Sequence, residues 1–261
     1  MSRLHQSSSG LPRISSNHMQ ELSSKGYVIV ENFLPDSLQE ALRLDVQYLR
    51  QKSKFNVARI GQDATNTLNT NIRVVETCFL GQNKLVDVPN DSRSKLYDVL
   101  ESLRQDLPQP LDVNLSEFLY AYYPSGGFYR RHRDALPGSA SVLRNFSLLM
   151  YLNKDWKEED GGELRMHMDS GGDEVPSGEE PNYIDVAPKG GTLILFNSDQ
   201  VPHEVLDTKS ERVAIVGWYN RPVTAGDIAE LSSGDVSPVR VTALAVAAGL
   251  VTVGLINILG S

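Results

Sequence analysis

The chain has a single cysteine, Cys78, in 261 residues. No intramolecular disulfide can form, which excludes a disulfide-stapled secreted scaffold and favours a reducing compartment. Positive charge is also scarce: 25 Lys and Arg stand against 33 Asp and Glu, for a net charge of −8. That balance argues against a nucleic-acid binder working by broad phosphate neutralisation, while leaving room for a local basic patch. The N-terminus lacks the apolar core of a secretory signal. Residues 1–20 are Ser-rich, carry Arg3 and Arg13, and contain no acidic residue. They read as a disordered leader, with an organelle transit peptide as the alternative. His5 and His18 within it are taken as solvated. No internal repeat is visible, and the length suits one domain with a real core.

Past the leader, residues 26–30 read as a short strand. A helix follows, capped by Asp36 or Ser37, in which Leu38, Leu42, Val46 and Leu49 recur at spacings of three and four. Residues 55–71 are polar and read as an exposed loop, placed to act as a lid. A second helix is expected over 91–107, stopped by Pro108 and Pro110. From 113 onward the pattern changes to short runs rich in Tyr, Phe, Val, Ile and Leu between Gly, Pro and Asp clusters. Strands are expected at 115–122, 128–133, 146–152, 163–168, 182–186, 192–196, 203–205 and 212–219. Many short strands without interleaved helices imply a sandwich or barrel. The expected fold is mainly β with N-terminal helices: helical support over 21–112, a β core over 113–222 and a linker over 223–240.

His132-Arg133-Asp134 places two metal-ligand types at i and i+2. On a strand such side chains share a face, with Arg133 opposite. A lone His-x-Asp is common in loops, where it forms a local hydrogen-bonded turn. A third ligand, His203, on a later strand would complete two imidazoles and one carboxylate, the facial triad of non-haem Fe(II) oxygenases. Nine positions later Arg212 opens the apolar run 213–218. A buried arginine is costly unless paired. It could reach solvent at the strand end, meet a protein carboxylate, or hold a ligand carboxylate with its guanidinium fork. Tyr151 on a neighbouring expected strand would add a second donor. His167 alternates with apolar residues and is expected on a polar strand face, and Trp156 in packing. Arg130, Arg131, Arg133 and Arg144 could ring a pocket mouth and favour an acidic target, or balance the acidic stretch 155–160.

These residues carry a resemblance. Tyr123-Pro124, Arg131-His132-Arg133-Asp134, the stretch from Tyr151 to Trp156, Gly161-Gly162-Glu163-Leu164, Pro202-His203-Glu204-Val205, Arg212 and Trp218-Tyr219 resemble the prolyl 4-hydroxylase group. The similarity is greatest to the hypoxia-inducible-factor prolyl hydroxylases and spans roughly residues 21–222, densest from 119 onward. It implies a double-stranded β-helix (jelly-roll) and an Fe(II)- and 2-oxoglutarate-dependent dioxygenase. His132, Asp134 and His203 match the iron ligands. Arg212 and Tyr151 match the residues that bind the distal carboxylate of 2-oxoglutarate, and Tyr123 a pocket tyrosine near the metal and cosubstrate. Arg144 and Trp218 match the substrate lip. The implied reaction hydroxylates a peptidyl proline with dioxygen, releases succinate and carbon dioxide, and uses ascorbate as reductant. The chain departs from the pattern at Val216, which replaces a polar residue, in a shorter 123–132 stretch, and in an acidic, Gly-rich 169–181 loop. The alternatives are the same chemistry on another side chain or a small molecule, and a cupin-like module that binds metal without turnover. A nucleic-acid demethylase of the AlkB type is set aside, since position 218 is Trp.

The last segment, 241–261, is apolar. Between 241 and 259 only Thr242, Thr252 and Asn257 are polar, and Arg240 is the last charged residue. As a helix those residues would span about 28 Å, close to the ~30 Å hydrocarbon thickness of a bilayer. Ala245 and Gly249 give a small-residue spacing that permits close packing in lipid. This segment is expected to anchor the chain at the cytosolic face of a membrane. The alternatives are a C-terminal element docked on the domain and a cytoplasmic protein.

Overall fold

Two antiparallel sheets face one another, and three helices cover the outer face of the larger one. The computed structural model describes residues 10–59, 67–81, 85, 90–168, 182–233 and 241. In chain order the elements are α1 (Ser16–Lys25), β1 (Tyr27–Val30), α2 (Asp36–Gln51), β2 (Asn56–Val57), β3 (Arg73–Val74), β4 (Glu76–Phe79) and α3 (Asp91–Asp106). The core follows with β5 (Glu117–Tyr123), β6 (Phe128–His132), β7 (Arg144–Tyr151), β8 (Leu164–His167), β9 (Tyr183–Val186), β10 (Leu193–Asn197), β11 (His203–Val205) and β12 (Arg212–Asn220), and α4 (Ala225–Ser233) ends it. The larger sheet has the order β1-β10-β7-β12-β5-β4-β2, and the smaller β3-β6-β11-β8-β9.

Side-chain alternation sorts the strands' apolar residues into two cores. On β12, Val213, Ile215 and Tyr219 face the helices, packing with Tyr120 and Tyr122 of β5, Leu148 and Met150 of β7, and the apolar stripes of α2 and α3. Ala214 and Trp218 face the smaller sheet, with Leu119 and Ala121, Leu149 and Tyr151, and Leu164, Met166 and Val205. Leu42 and Leu49 of α2 are wholly buried, each stabilising the helix–sheet contact by roughly 2 kcal/mol. Pro35, rather than Asp36 or Ser37, occupies the N-cap of α2, and no side chain caps it; Asp36 sits in the first turn, where its charge suits the helix dipole. Between α2 and α3, Arg93 is buried against Asp45 at 3.0 Å, and the Tyr120 hydroxyl donates to the same carboxylate at 3.1 Å.

Several sequence expectations change. Residues 16–20, expected in a disordered leader, form the first half of α1. Ser15 caps it by accepting from the His18 N–H at 3.2 Å, and Gly26 closes it in the left-handed conformation at φ 80°. Leu22 is buried, and Arg13 pairs with Asp106 of α3, so this polar stretch is tied down from both sides. Residues 1–9 lie outside the described residues. The 21–112 region is not only helical: β1 pairs with β10, β4 with β5 and β3 with β6. Part of the 55–71 stretch, expected as an exposed loop, is β2 on the sheet edge, while 60–66 lie outside the described residues. The expected linker 223–240 contains α4. There Asp227 accepts from the Thr224 N–H and hydroxyl and takes a bidentate pair from Arg221 at 2.7 Å. The acidic 169–181 loop lies outside the described residues, as does 241–261 apart from Val241, which packs with Ala140 and Leu231. Among the described residues no helix is long and apolar enough to cross a membrane.

Candidate active site

His132 at the end of β6 and His203 at the start of β11 are direct cross-strand partners, so pairing alone brings their rings together, 4.3 Å between centroids. Asp134 follows two residues after His132. Its Oδ1 lies 3.6 Å from His132 Nε2 and its Oδ2 3.6 Å from His203 Nε2. One ligand atom from each of the three residues falls within 4.8 Å of the others. The remaining ring nitrogens are already used. His132 Nδ1 is 2.9 Å from the Arg130 carbonyl and His203 Nδ1 3.0 Å from the Val201 carbonyl. A carbonyl only accepts, so Nδ1 carries the proton in each ring and the Nε2 lone pair is left for a metal. Tyr129 stacks on His132 at 3.6 Å and Phe196 packs edge-on to His203 at 4.7 Å, fixing both rings.

Charge is arranged accordingly. Burial pulls His203 down to about 4, with the neighbouring His132 adding to the effect; it is therefore neutral, as a ligand must be. Burial pushes Asp134 the other way, but His203 and then His132 outweigh it and hold the carboxyl below its ordinary range. Two imidazole nitrogens and one carboxylate on a single side match the donor set of a non-haem Fe(II) site rather than a closed zinc site.

On the inner face of the larger sheet a second cluster sits at one end of β12. Arg212 is 1% exposed. Its Nε donates to the Gly162 carbonyl at 2.7 Å and one Nη to the Tyr151 hydroxyl at 3.3 Å, while Nη1 has no partner among the described residues. Its guanidinium lies 4.8 Å from the Tyr123 ring and 5.0 Å from that of Tyr151. Of the three fates the sequence left open for Arg212, solvent does not apply, and no carboxylate among the described residues meets it. A buried cation with an unsatisfied nitrogen fits an anionic ligand that the protein itself does not supply. Burial raises the Tyr151 phenol to about 12, against the opposing pull of Arg212, so it stays a hydroxyl donor. These residues could hold a carboxylate.

A cavity of about 690 Å³ opens onto the metal-type cluster. His132, Asp134, His203, Tyr123, Arg144 and Trp218 all line it, and the fully buried Tyr151 and Arg212 adjoin it through Tyr123. Arg144 lies 3.6 Å over the Trp218 ring, and pairs with Glu117 at 3.1 Å. Trp218 Nε1 is buried without a partner among the described residues. Of the arginines expected around the mouth, Arg133 and Arg144 line the cavity, whereas Arg130 pairs with Asp207 at 2.9 Å instead. His167 is buried and faces Glu204 at 3.1 Å, and Trp156 donates to the Gly161 carbonyl. Sequence reasoning missed Ser147, whose hydroxyl donates to Asp134 at 2.7 Å; a serine within a strand carries no spacing signal. It also missed Arg59 and Arg73 in the cavity wall; the first lies in the stretch read as a loop, and the second just beyond it.

The comparisons agree with this geometry. Residues 118–220 match the model of the 2OG-Fe(II) oxygenase superfamily, a family that implies Fe(II) and 2-oxoglutarate. Among solved structures, the chain is similar to a prolyl-4-hydroxylase from Pseudomonas putida, at 29% identity and TM-score 0.59, over 79% of this chain and 98% of that one. It is also similar to a Trichoplax adhaerens prolyl hydroxylase solved with a hypoxia-inducible-factor peptide fragment, at 26% identity and TM-score 0.64, over 82% and 90%. The α-ketoglutarate-dependent carbocyclase SnoK from nogalamycin biosynthesis shares the fold at 15% identity and TM-score 0.56, over 86% and 93%. The two facing antiparallel sheets are the double-stranded β-helix of these enzymes. With residues 118–220 matching the model of the 2OG-Fe(II) oxygenase superfamily, these likenesses support a 2-oxoglutarate-dependent dioxygenase similar to the prolyl 4-hydroxylases.

Proposed function

We propose that the chain hydroxylates a proline within a peptide or protein, with His132, Asp134 and His203 holding Fe(II). Arg212 and Tyr151 bind the distal carboxylate of 2-oxoglutarate, and Tyr123 lies between that end and the metal. The observation that carries the cosubstrate assignment is the buried, unpartnered Nη1 of Arg212. When bound, Fe(II), 2-oxoglutarate and dioxygen supply the oxidising chemistry, releasing succinate and carbon dioxide, with ascorbate as reductant. The chain's own residues do the positioning. Arg212 and Tyr151 fix the far end of the cosubstrate with charge-assisted and neutral donors. Leu149, Leu164, Val205 and Val216 line the cavity and exclude water from the reacting centre. Val216, where the family carries a polar residue, contributes apolar wall rather than a donor.

Two features support a peptide substrate: the similarity to two prolyl hydroxylases, and the mouth formed by Arg144 and Trp218. Trp218 Nε1 is a buried donor in the cavity wall with no acceptor among the described residues, and a peptide carbonyl is the group that would satisfy it. The test is incubation of the protein with Fe(II), 2-oxoglutarate, ascorbate and a diverse proline-peptide library, read by mass spectrometry. Peptides that gain one oxygen on proline are expected. Turnover of a free amino acid or metabolite, with no peptide modified, would replace this reading with the small-molecule one.

We also propose, from the sequence of 241–261 alone, that this segment attaches the chain to a membrane. Full-length protein should resist carbonate extraction from membranes, whereas a version ending at Pro238 should not. Full-length protein that is released equally well contradicts the anchor and favours docking on the domain, where Val241 already packs.

A further inference from the structure

We infer that Ser147 and Ser198 form a hydroxyl relay that orients the Asp134 carboxylate, making Ser147 a positioning residue for the metal site. The inference rests on the assignment of Asp134 as a ligand. Ser147 Oγ lies 2.7 Å from Asp134 Oδ2 and 2.8 Å from Ser198 Oγ. All three residues are buried, at 1%, 0% and 7% exposure for Ser147, Ser198 and Asp134. The direction of the chain follows from its end. An ionised carboxylate only accepts, so Ser147 spends its single proton on Asp134 and its lone pairs receive the Ser198 proton. Donation runs from Ser198 to Ser147 to Asp134, and in dry surroundings each link polarises the next.

The relay spans the two sheets. Asp134 follows β6 of the smaller sheet, whereas Ser147 belongs to β7 and Ser198 follows β10, both of the larger. The main chain is clamped at the same point: the Ala135 N–H donates to the Ser198 carbonyl at 3.2 Å and Arg144 to the Asp134 carbonyl at 3.2 Å. The backbone bonds place Asp134, and the Ser147 hydroxyl donates directly to its carboxylate, which fixes the rotation of that group. With Oδ2 engaged, Oδ1 is the oxygen left uncommitted, 3.6 Å from His132 Nε2. A carboxylate held at one oxygen would present the other, in a fixed orientation, to a metal bound beside the two histidines. Partners of this kind typically change metal affinity about 10–100-fold when removed.

The test uses full-length protein titrated with Co(II), whose visible absorption reports ligand number and geometry, alongside thermal melting of the metal-free forms. Ser147→Ala is expected to weaken Co(II) binding by about 10–100-fold and to alter the spectrum, with little change in the metal-free melting temperature. Ser147→Thr, which keeps the hydroxyl, should restore both affinity and spectrum. Ser198→Ala should give a smaller loss in the same direction, and none beyond that of Ser147→Ala when the two are combined. This second arm holds even if the threonine does not fit beside its strand neighbours. Wild-type affinity and spectrum in Ser147→Ala, or fully additive losses in the double variant, overturn the relay. Asp134→Ala separates the two levels: it should abolish binding. If it binds Co(II) as wild type does, the ligand assignment itself fails and the relay with it.

Discussion

Arg212 is among the largest fully buried side chains of the described residues, and its cost is hard to explain by stability. A buried guanidinium with one nitrogen unpartnered loses more hydration than its bonds to Gly162 and Tyr151 return. This cost is what the proposed role in holding a ligand would explain. Arg212→Met, close in length and apolar, should weaken 2-oxoglutarate binding by about 2–5 kcal/mol, the usual loss when a buried charge pair is broken. Metal affinity should hold, and the metal-free protein should melt at the same or a higher temperature. Calorimetric titration and thermal melting read the two effects; unchanged cosubstrate affinity would make Arg212 structural. At this scale much of the site was legible from the sequence. His132 and Asp134 at i and i+2, and Arg212 opening an apolar run, are patterns whose physical cost or chemistry shows in one dimension. Ser147, Ser198 and the buried Asp45–Arg93 pair were not legible, because each takes its meaning from a partner far away in the chain.

Turns aim these residues, and Gly161-Gly162 shows how. Both glycines have positive φ, at 64° and 77°, a conformation that side-chain-bearing residues rarely adopt. The Gly162 carbonyl accepts from Arg212 Nε, and a Cβ at 162 would come within 2.9 Å of Thr208 Cβ and 3.1 Å of Arg212 Cδ. Gly162→Ala should then cost about 1–3 kcal/mol in denaturant unfolding and weaken 2-oxoglutarate binding, with metal affinity unchanged. Equal cosubstrate affinity in that variant would show that the turn does not set the arginine. The elements that periodicity revealed were those long enough to repeat a pattern: α2, α3 and the strands of the core. β2 and β3, two residues each, are too short to show one. α1 and α4 were hidden by polar composition, although their boundary signals stood in the sequence: Ser15 and Gly26 for one, Thr224 and Asp227 for the other.

Over the whole molecule, one rule of alternation builds both the core and the site. Every second residue of β5, β7 and β12 faces the smaller sheet, and that inward face runs from Arg212, Tyr151 and Tyr123 through Val216, Leu149 and Leu119 to Trp218. The smaller sheet brings His132 and His203 across from it. The class of fold was readable because strand spacing and turn residues are local. The joining of the N-terminal strands to both sheets was not, since those pairings link residues far apart in sequence. The central claim is that this arrangement performs 2-oxoglutarate-dependent oxygenation through His132, Asp134 and His203. The most direct measurement is turnover under heavy-isotope dioxygen with Fe(II), 2-oxoglutarate and a peptide found to be modified. The account predicts heavy oxygen in both the succinate and the hydroxylated peptide, with no succinate from His203→Ala. Product oxygen drawn from water, or full turnover in His203→Ala, would contradict it.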